Sequence, residues 1–423
     1  MERKKFNRVK TLRRHSWWFA MALMATLALP RRSIAIPSFS LLTGTRCSAC
    51  HFDPQGSGIR TELGWEMMSQ TGLFHWNGVD TSGIPLTNTI FNGMLIPGGD
   101  ARFQLVRYSK TNQELLIPMQ LTTSLAVMPI QQLSVYTDIN WASIYVRAVT
   151  APTDLFGTAS GLYPGETDYD LTLQYQPGIT LPSIRVGMIE PSIGIRQDDH
   201  TAFTSMDAVG SSNNSYSSIT LIPPYYNEIG GELTYEGIRW LTINAGIFNA
   251  YNLSQIDPTI GTVNSNFDFR HPTVSGRIVL WPQLIDDGLN FETGASILQN
   301  GSFRMFDGFG GIGLADKATF FVEGLYAKDA SDKIVRNFSV IGTLRLTDWL
   351  MPEWRYDWGM TEVYPGQSLG WASGFLFGVE FFPWPYIELR PEYRVTDMTP
   401  FSTTGTNPGS HTGQWTAQLH VFY

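Results

Sequence analysis

From about residue 100 to residue 423 the sequence repeatedly alternates apolar and polar side chains in runs that end at turn-forming residues. In the clearest run, 387–395, one face carries Ile387, Leu389, Tyr393 and Val395 and the other carries Glu388, Arg390, Glu392 and Arg394. Similar runs cover residues 133–141, 169–175, 229–235, 241–248, 289–297, 337–346, 354–358 and 375–381. A period of two predicts β-strands with two different faces.

Both a soluble β-sandwich and a transmembrane β-barrel show this alternation, and three features favour the barrel. Aromatic residues gather at predicted strand ends, as interfacial girdles do: Trp240, Trp281, Trp349, Trp354, Trp358, Trp384 and Tyr386. Charged residues make up only 16% of the chain and fall on one strand face, which suits a wet lumen. The last run, 415–423, alternates to the terminal aromatic Tyr423, like the assembly signal of outer-membrane barrels.

The expected fold is therefore all-β: a transmembrane antiparallel β-barrel of about 16 strands over residues 98–423. Long polar connections at 150–167, 197–218, 252–270 and 401–411 are expected to be extracellular loops, and 382–385 a periplasmic turn. The glycine-rich stretch 308–313 matches a dinucleotide-binding pattern, but it continues into another strand instead of a helix. Its glycines are therefore expected to mark a bend or close packing.

The only two cysteines of the chain lie in Cys47-Ser48-Ala49-Cys50-His51. This C-x-x-C-H spacing predicts one covalent haem c, with a thioether from each of Cys47 and Cys50 and with His51 as an axial iron ligand. A redox dithiol, half of a zinc site and a disulfide are the alternatives. No βαβ context supports the dithiol, and His75 is the only further soft zinc ligand nearby.

The candidates for the second axial ligand are Met67, Met68 and His75, and the alternative is that the methionines pack and His75 lies at the surface. A short helix is expected over residues 61–71, with Thr61 as its cap and with Leu63, Met67 and Trp65 on its apolar side. The haem segment, residues 36–97, is too short to build its own core. The barrel must therefore shelter the haem.

Residues 1–35 combine a basic start, an apolar run and a small-residue cleavage site, which predicts a secretory signal peptide, with a retained membrane anchor as the alternative. They carry nine of the 29 Lys and Arg residues and only Glu2 of the 37 acidic residues, so the remaining chain has a net charge of −16. This charge argues against a nucleic-acid partner.

The layout resembles the fused outer-membrane cytochrome–porins, whose best-known members are iron oxidases. Cys47, Cys50 and His51 match the haem motif and Tyr423 matches the terminal aromatic, whereas residues 52–60 depart from the Phe-Pro-rich stretch of those oxidases. The resemblance implies a protein of the bacterial outer membrane, in contact with its lipid, that moves electrons between an extracellular donor or acceptor and a periplasmic carrier such as a cytochrome.

Fe(II) is the implied extracellular substrate, which leaves open whether the chain is an Fe(II):cytochrome c oxidoreductase. Acidic residues, for example Asp198, Asp199 and Glu232, are expected to gather the ion, and Asp198-Asp199-His200 is either a metal cluster or a solvated loop end. Two other functions stay open. One is a solute porin whose haem-bearing plug gates or senses, and the other is a soluble periplasmic β-protein with a cytochrome appendage.

Overall fold

A computed structural model describes most of the chain. The described residues are 40–42, 44–56, 58–65, 75–76, 78–80, 88–109, 114–141, 167, 169–178, 180–195, 222, 226–261, 263, 271–282, 288–314, 317–364, 367–402, 405–406 and 410–422. The predicted signal peptide, Met67, Met68, the stretch Asp198-Asp199-His200 and Tyr423 lie outside these residues.

The strands follow one another along the chain with bounds close to the predicted runs. They are β1 (Leu95–Tyr108), β2 (Glu114–Ile130), β3 (Leu133–Asn140), β4 (Leu171–Tyr175), β5 (Ser183–Ile189), β6 (Glu228–Ile238), β7 (Leu241–Phe248), β8 (Thr273–Leu280), β9 (Leu289–Asn300), β10 (Phe303–Leu314), β11 (Ala318–Lys328), β12 (Ile334–Leu344), β13 (Leu350–Tyr364), β14 (Gln367–Trp384), β15 (Ile387–Ser402), β16 (Gly405–Thr406) and β17 (Ser410–Phe422). The helices are α1 (Cys47–Cys50) and α2 (Tyr251–Ile256), with a 3-10 turn at Pro258–Ile260. Residues 40–42 and 62–65 are also helical.

Sixteen strands form a closed antiparallel barrel, because each pairs with its chain neighbour and β1 also pairs with β17. The two-residue β16 lies outside this wall and pairs only with the end of β15. The predicted barrel and strand number are confirmed. Two bounds differ: β1 begins at Leu95, before the expected boundary at residue 98, and β14 continues through Trp384, so that the turn is Pro385-Tyr386.

The barrel has the inverse polarity of a soluble protein, with apolar side chains outside and polar ones inside. In β5, Ile184 and Val186 are 45% and 41% exposed, whereas Arg185 between them is 3% exposed. The same contrast recurs around the wall, where the inward side chains include Gln104, Gln120, Thr172, Glu232, Asn244, Arg277, Glu292, Asp307, Glu323, Asp357, Glu392 and Gln418. An apolar exterior around a polar lumen is the arrangement that a bilayer requires.

The two ends of the barrel differ in the length of their connections. Turns at residues 131–132, 239–240 and 385–386 lie at one end, called here the short-turn end, and the long connections 141–170, 190–227 and 249–272 lie at the other, called the loop end. In outer-membrane barrels the short turns face the periplasm. Trp240, Trp281, Trp349 and Trp384 lie at the short-turn end, as an interfacial girdle predicts, while Trp354 and Trp358 lie within β13.

Tyr386 is an exception to the predicted girdle. Its ring packs 4.9 Å from Trp65 and 6.3 Å from Phe422, both of which are buried. The aromatic in the β14–β15 turn therefore contacts the N-terminal segment instead of lipid. Among the described residues, no helix has the length and apolar character needed to cross a bilayer.

Candidate functional site

The C-x-x-C-H motif forms a single helical turn. The amide of His51 donates to the carbonyl oxygen of Cys47 at 3.0 Å, which closes α1, and the backbone of His51 is extended. One turn brings the i and i+3 side chains, Cys47 and Cys50, to one face of the chain. The chain then folds back, so that His51 pairs with Arg60 in an antiparallel bridge and the Phe52 amide donates to Ile59. The motif therefore has a fixed local geometry.

Gly56 lies against the motif and leaves its face open. Its φ of +92° is in the region that favours glycine, and an added Cβ would lie 3.5 Å from Cys47 Cβ, 3.8 Å from Cys47 Sγ and 4.0 Å from His51 Cδ2. A side chain at this position would cover the thiol and the imidazole edge. The absence of one fits a large planar group attached to Cys47 and bound by His51.

No disulfide joins Cys47 and Cys50; Cys50 is buried and Cys47 is half-buried. Burial raises the pKa of Cys47 to about 12, with a smaller contribution from nearby Glu292, and burial also raises the pKa of Cys50. A redox dithiol and a zinc site both need a thiolate. Within the described residues no group of three or more His, Cys, Asp or Glu side chains is arranged to hold a metal ion. Burial of the two thiols disfavours the thiolate that a redox dithiol and a zinc site both require.

Arg46 and Ser48 attach the motif to the wall at the short-turn end of β6. The Arg46 guanidinium donates to the carbonyl of Glu236 at 2.9 Å and to that of Ile238. The Ser48 hydroxyl donates to the Glu236 carboxylate at 2.9 Å. Because both residues flank or lie within the C-x-x-C-H turn, the turn has a defined place in the lumen.

Arg185 connects the haem segment, the wall and the connection after β5. Its guanidinium lies 2.8 Å from Asp53 Oδ2 and 2.9 Å from Glu232 Oε1, and it donates to the Glu190 carbonyl and to Ser192 Oγ. The side chain is 3% exposed. Residues 190–195 are thereby held inside the barrel.

Gln55 adds a second link between the haem segment and residues 190–195. Its amide donates to the Pro191 carbonyl at 3.0 Å and accepts from the Ile193 amide at 3.1 Å. The expectation that Glu232 is one of the acidic residues that gather the ion was wrong. Its side chain is fully buried and accepts hydrogen bonds from Arg185 and from the Ser192 amide and hydroxyl.

The start of the described segment packs against two glycines of β10. Leu41 lies among Val279, Phe309 and Phe321. A Cβ at Gly311 would lie 2.5 Å from Leu41 Cδ1, and one at Gly313 would lie 2.1 Å from the Leu41 carbonyl oxygen. The stretch 308–313 is therefore a strand whose glycines allow close packing, as predicted.

The residues after the motif pack against both the wall and the turns. Phe52 and Ile59 form an apolar cluster with Ile96, Ala126 and Tyr136 of β1, β2 and β3. Thr61 caps the following turn as predicted, because its Oγ1 accepts from the Gly64 amide at 3.2 Å. Trp65 is 1% exposed, whereas Leu63 is 47% exposed, so the expectation that Leu63 packs was wrong. Of the helix expected over residues 61–71, the described part is helical over 62–65.

The second axial ligand stays a prediction. Met67 and Met68 lie outside the described residues. His75 is half-buried, and its Nδ1 atom is buried without a hydrogen-bond partner among the described residues. The adjacent Trp76 packs 6.0 Å from Trp349 at the short-turn end.

A network of charges crosses the lumen side of β13, β14 and β15. Arg390 lies 2.9 Å from Glu392, 3.6 Å from Glu353 and 3.7 Å from Glu380. Arg394 also bonds to Glu392. The charged face of residues 388–394 therefore lies on the lumen side, as predicted, and its charges are paired there.

Several residues that build the site were not singled out from the sequence, notably Arg185, Glu236 and Leu41. Arg185 carried a usable signal, since it is the only charge in the run Ser183–Ile189. A single charge on the lumen face of an otherwise uncharged strand needs a partner. The others carried none, because their roles depend on segments that are far apart in sequence.

No protein-family model matches the sequence, and no curated protein matches it. Solved outer-membrane barrels are similar in structure. OprB of Pseudomonas putida, in its high pH structure, aligns with a TM-score of 0.53 and 7% identity over 78% of this chain and 94% of its own. The outer membrane channel DcaP of Acinetobacter baumannii aligns with a TM-score of 0.50 and 8% identity over 78% and 97%. The chain thus has the fold of a porin-like barrel of the bacterial outer membrane.

Proposed function

We propose that this protein is an outer-membrane electron-transfer protein that carries one haem c in its lumen and moves electrons between an extracellular donor or acceptor and a periplasmic carrier. The observation that supports the proposal is the position of the C-x-x-C-H turn inside the barrel, where Arg46, Ser48 and Asp53 bond to the wall. A haem-binding turn without its own core needs such a wall to exclude water.

Each residue of the motif has a separate role in the proposal. Cys47 and Cys50 attach the haem, and His51 binds the iron from one side. When bound, the haem supplies a one-electron couple that neither the barrel nor its side chains provide. Gly56 leaves the motif face open, and α1 is anchored close to the short-turn end at Glu236.

The proposal assigns the two electron partners to opposite ends of the barrel. A periplasmic carrier, such as a cytochrome, meets the barrel at its short-turn end, near α1. An extracellular donor enters from the loop end, and Fe(II) is the donor to test first because the resembling family contains iron oxidases. One haem cannot cover the whole thickness of the membrane, so the donor has to enter the lumen.

Visible spectra of the detergent-purified full chain, produced in cells that attach c-type haem, test the proposal. A reduced c-type band that rises on addition of Fe(II), and that is absent from Cys47→Ala, is the expected result. Ala49→Ser is the matched control, since it changes the same turn but leaves both cysteines, His51 and the Ser48–Glu236 contact in place. A band that dithionite but not Fe(II) produces would exclude Fe(II) as the donor. A wild-type protein without haem would contradict the proposal.

A solute porin is the second candidate, and the fold itself favours it, since the similar DcaP is an outer membrane channel. In this alternative the N-terminal segment gates or senses. Single-channel recordings in planar bilayers distinguish the two functions. A large steady conductance with an unreactive haem would favour the porin, whereas a small conductance with reversible haem reduction supports electron transfer.

A further inference from the structure

Arg60 lies beside the haem motif, where no sequence pattern singled it out. Its backbone pairs with His51 in the antiparallel bridge that folds the chain back after α1. Its guanidinium carbon lies 4.6 Å from the centre of the Phe422 ring, and Phe422, in the last strand of the barrel, is 4% exposed. A cation on an aromatic face is held in place without losing its charge.

Asp100 is the carboxylate that interacts most strongly with the charge of Arg60, and it already has other partners. Asp100 Oδ2 bonds to His420 Nε2 at 3.0 Å, and Asp100 Oδ1 lies 3.4 Å from Arg102 Nε. Among the described residues, Arg60 itself makes no side-chain hydrogen bond or ion pair beyond its contact with the Phe422 ring. Its positive charge is therefore not neutralised by a direct partner in the described part of the chain.

An uncompensated positive charge acts on any redox centre close to it. Half-buried groups interact through a lower effective dielectric than exposed groups, so the effect reaches over several ångströms. Oxidation of a haem iron adds one positive charge, and a fixed cation nearby disfavours that step.

We propose that Arg60 is a positioning residue of the haem site whose fixed charge raises the reduction potential of the haem bound at His51. The inference rests on the proposed function, because it requires a haem at Cys47 and Cys50. The contact with Phe422 also gives the last strand of the barrel a part in holding this charge.

Spectroscopic redox titration of the purified holoprotein tests the inference. Arg60→Met removes the charge and keeps an unbranched side chain over Phe422. At the wild-type midpoint potential we expect the ratio of reduced to oxidised haem to fall about tenfold in Arg60→Met, which is equivalent to ~59 mV for a one-electron couple. Arg60→Lys, which keeps the charge, should retain most of the wild-type ratio.

Two further variants make the result specific. Arg107→Met removes one positive charge at the loop end, where Arg107 is exposed and pairs with Glu114, and it should leave the ratio unchanged. Arg60→Gln is the second truncation, and its ratio should fall as that of Arg60→Met does.

Each other outcome overturns the inference. Equal potentials in wild type, Arg60→Met and Arg60→Gln would show that the charge has no effect on the haem. An equal fall in Arg60→Lys would assign the effect to packing, and loss of the folded barrel in both truncations would assign Arg60 to the fold. A wild-type protein without a haem band would instead refute the proposed function, which separates the two failures.

Discussion

Arg185 shows how one residue holds separate parts of this barrel together. Its guanidinium bonds to Asp53 of the haem segment and to Glu232 of the neighbouring strand. Burying a guanidinium is costly unless carboxylates and carbonyls satisfy its donors, and here they do. The site therefore stabilises the barrel only when Arg185, Asp53 and Glu232 are all present.

Arg185→Met should destabilise the folded barrel by about 3–5 kcal/mol, because Glu232 and Asp53 would be left buried without their shared cation. Guanidinium unfolding of the refolded protein in detergent measures the loss. Arg107→Met is the control: both members of the Arg107–Glu114 pair are more than half exposed, so its loss should cost within about 1 kcal/mol. Equal losses in the two variants would contradict a structural role for the buried network.

At the scale of elements, the haem segment depends on strands that are specialised to receive it. Strand β10 offers glycines where Leu41 approaches, and the Asn290 amide in β9 donates to the Leu41 carbonyl at 2.7 Å. The four-residue α1 has no core of its own and takes its position from such contacts. The orientation of the cysteines is thus a property of the wall as much as of the motif.

Gly313→Val should displace the haem segment without unfolding the barrel, because the new Cβ would lie 2.1 Å from the Leu41 carbonyl oxygen. We expect trypsin cleavage at Arg46 to accelerate about tenfold, since the loss of roughly 1.4 kcal/mol of docking free energy raises the open population by that factor. Gel analysis of limited digests provides the rate.

Gly308→Val is the matched control on the same strand. Gly308 faces away from the lumen and has no heavy atom within 4 Å of an added Cβ. It should leave the cleavage rate at the wild-type value. A cleavage rate that rises equally in both variants would show that valine weakens β10 itself and that the contact between Gly313 and Leu41 is not the cause.

At the scale of the whole molecule, the distribution of polarity sets the environment that the barrel needs. Outward side chains such as Ile278, Phe377 and Leu389 are exposed in the isolated chain. The transfer of these apolar surfaces from water into lipid has a favourable free energy, which stabilises the barrel in the membrane. The lumen, in contrast, is filled by paired charges.

Ala245 lies on the outer face in the middle of β7, where it pairs with Leu233 and Gly276. Ala245→Arg should destabilise the barrel by about 2–4 kcal/mol in liposomes, because it places a charge in the hydrocarbon layer. Ala245→Leu should stay within about 0.5 kcal/mol of wild type. Denaturant unfolding in liposomes measures both. Identical midpoints for Arg and Leu would mean that this face is not in lipid.

The sequence by itself determined the class of fold, because a period of two over most of the chain leaves little but a β-sheet with two unlike faces. It also predicted a haem motif at residues 47–51, and it determined the lumen face of residues 388–394. These features are local, in that each depends on residues close together along the chain.

Only the tertiary structure decided where the motif lies and what holds it. The contacts of Arg46 with β6, of Asp53 with Arg185, of Leu41 with Gly313 and of Arg60 with Phe422 join residues that are far apart in sequence. No local sequence pattern predicts such pairs, because each residue on its own is typical of an ordinary strand or loop. Folding of the N-terminal segment into the barrel brings these pairs together, which is why Arg60 was not recognised from the sequence.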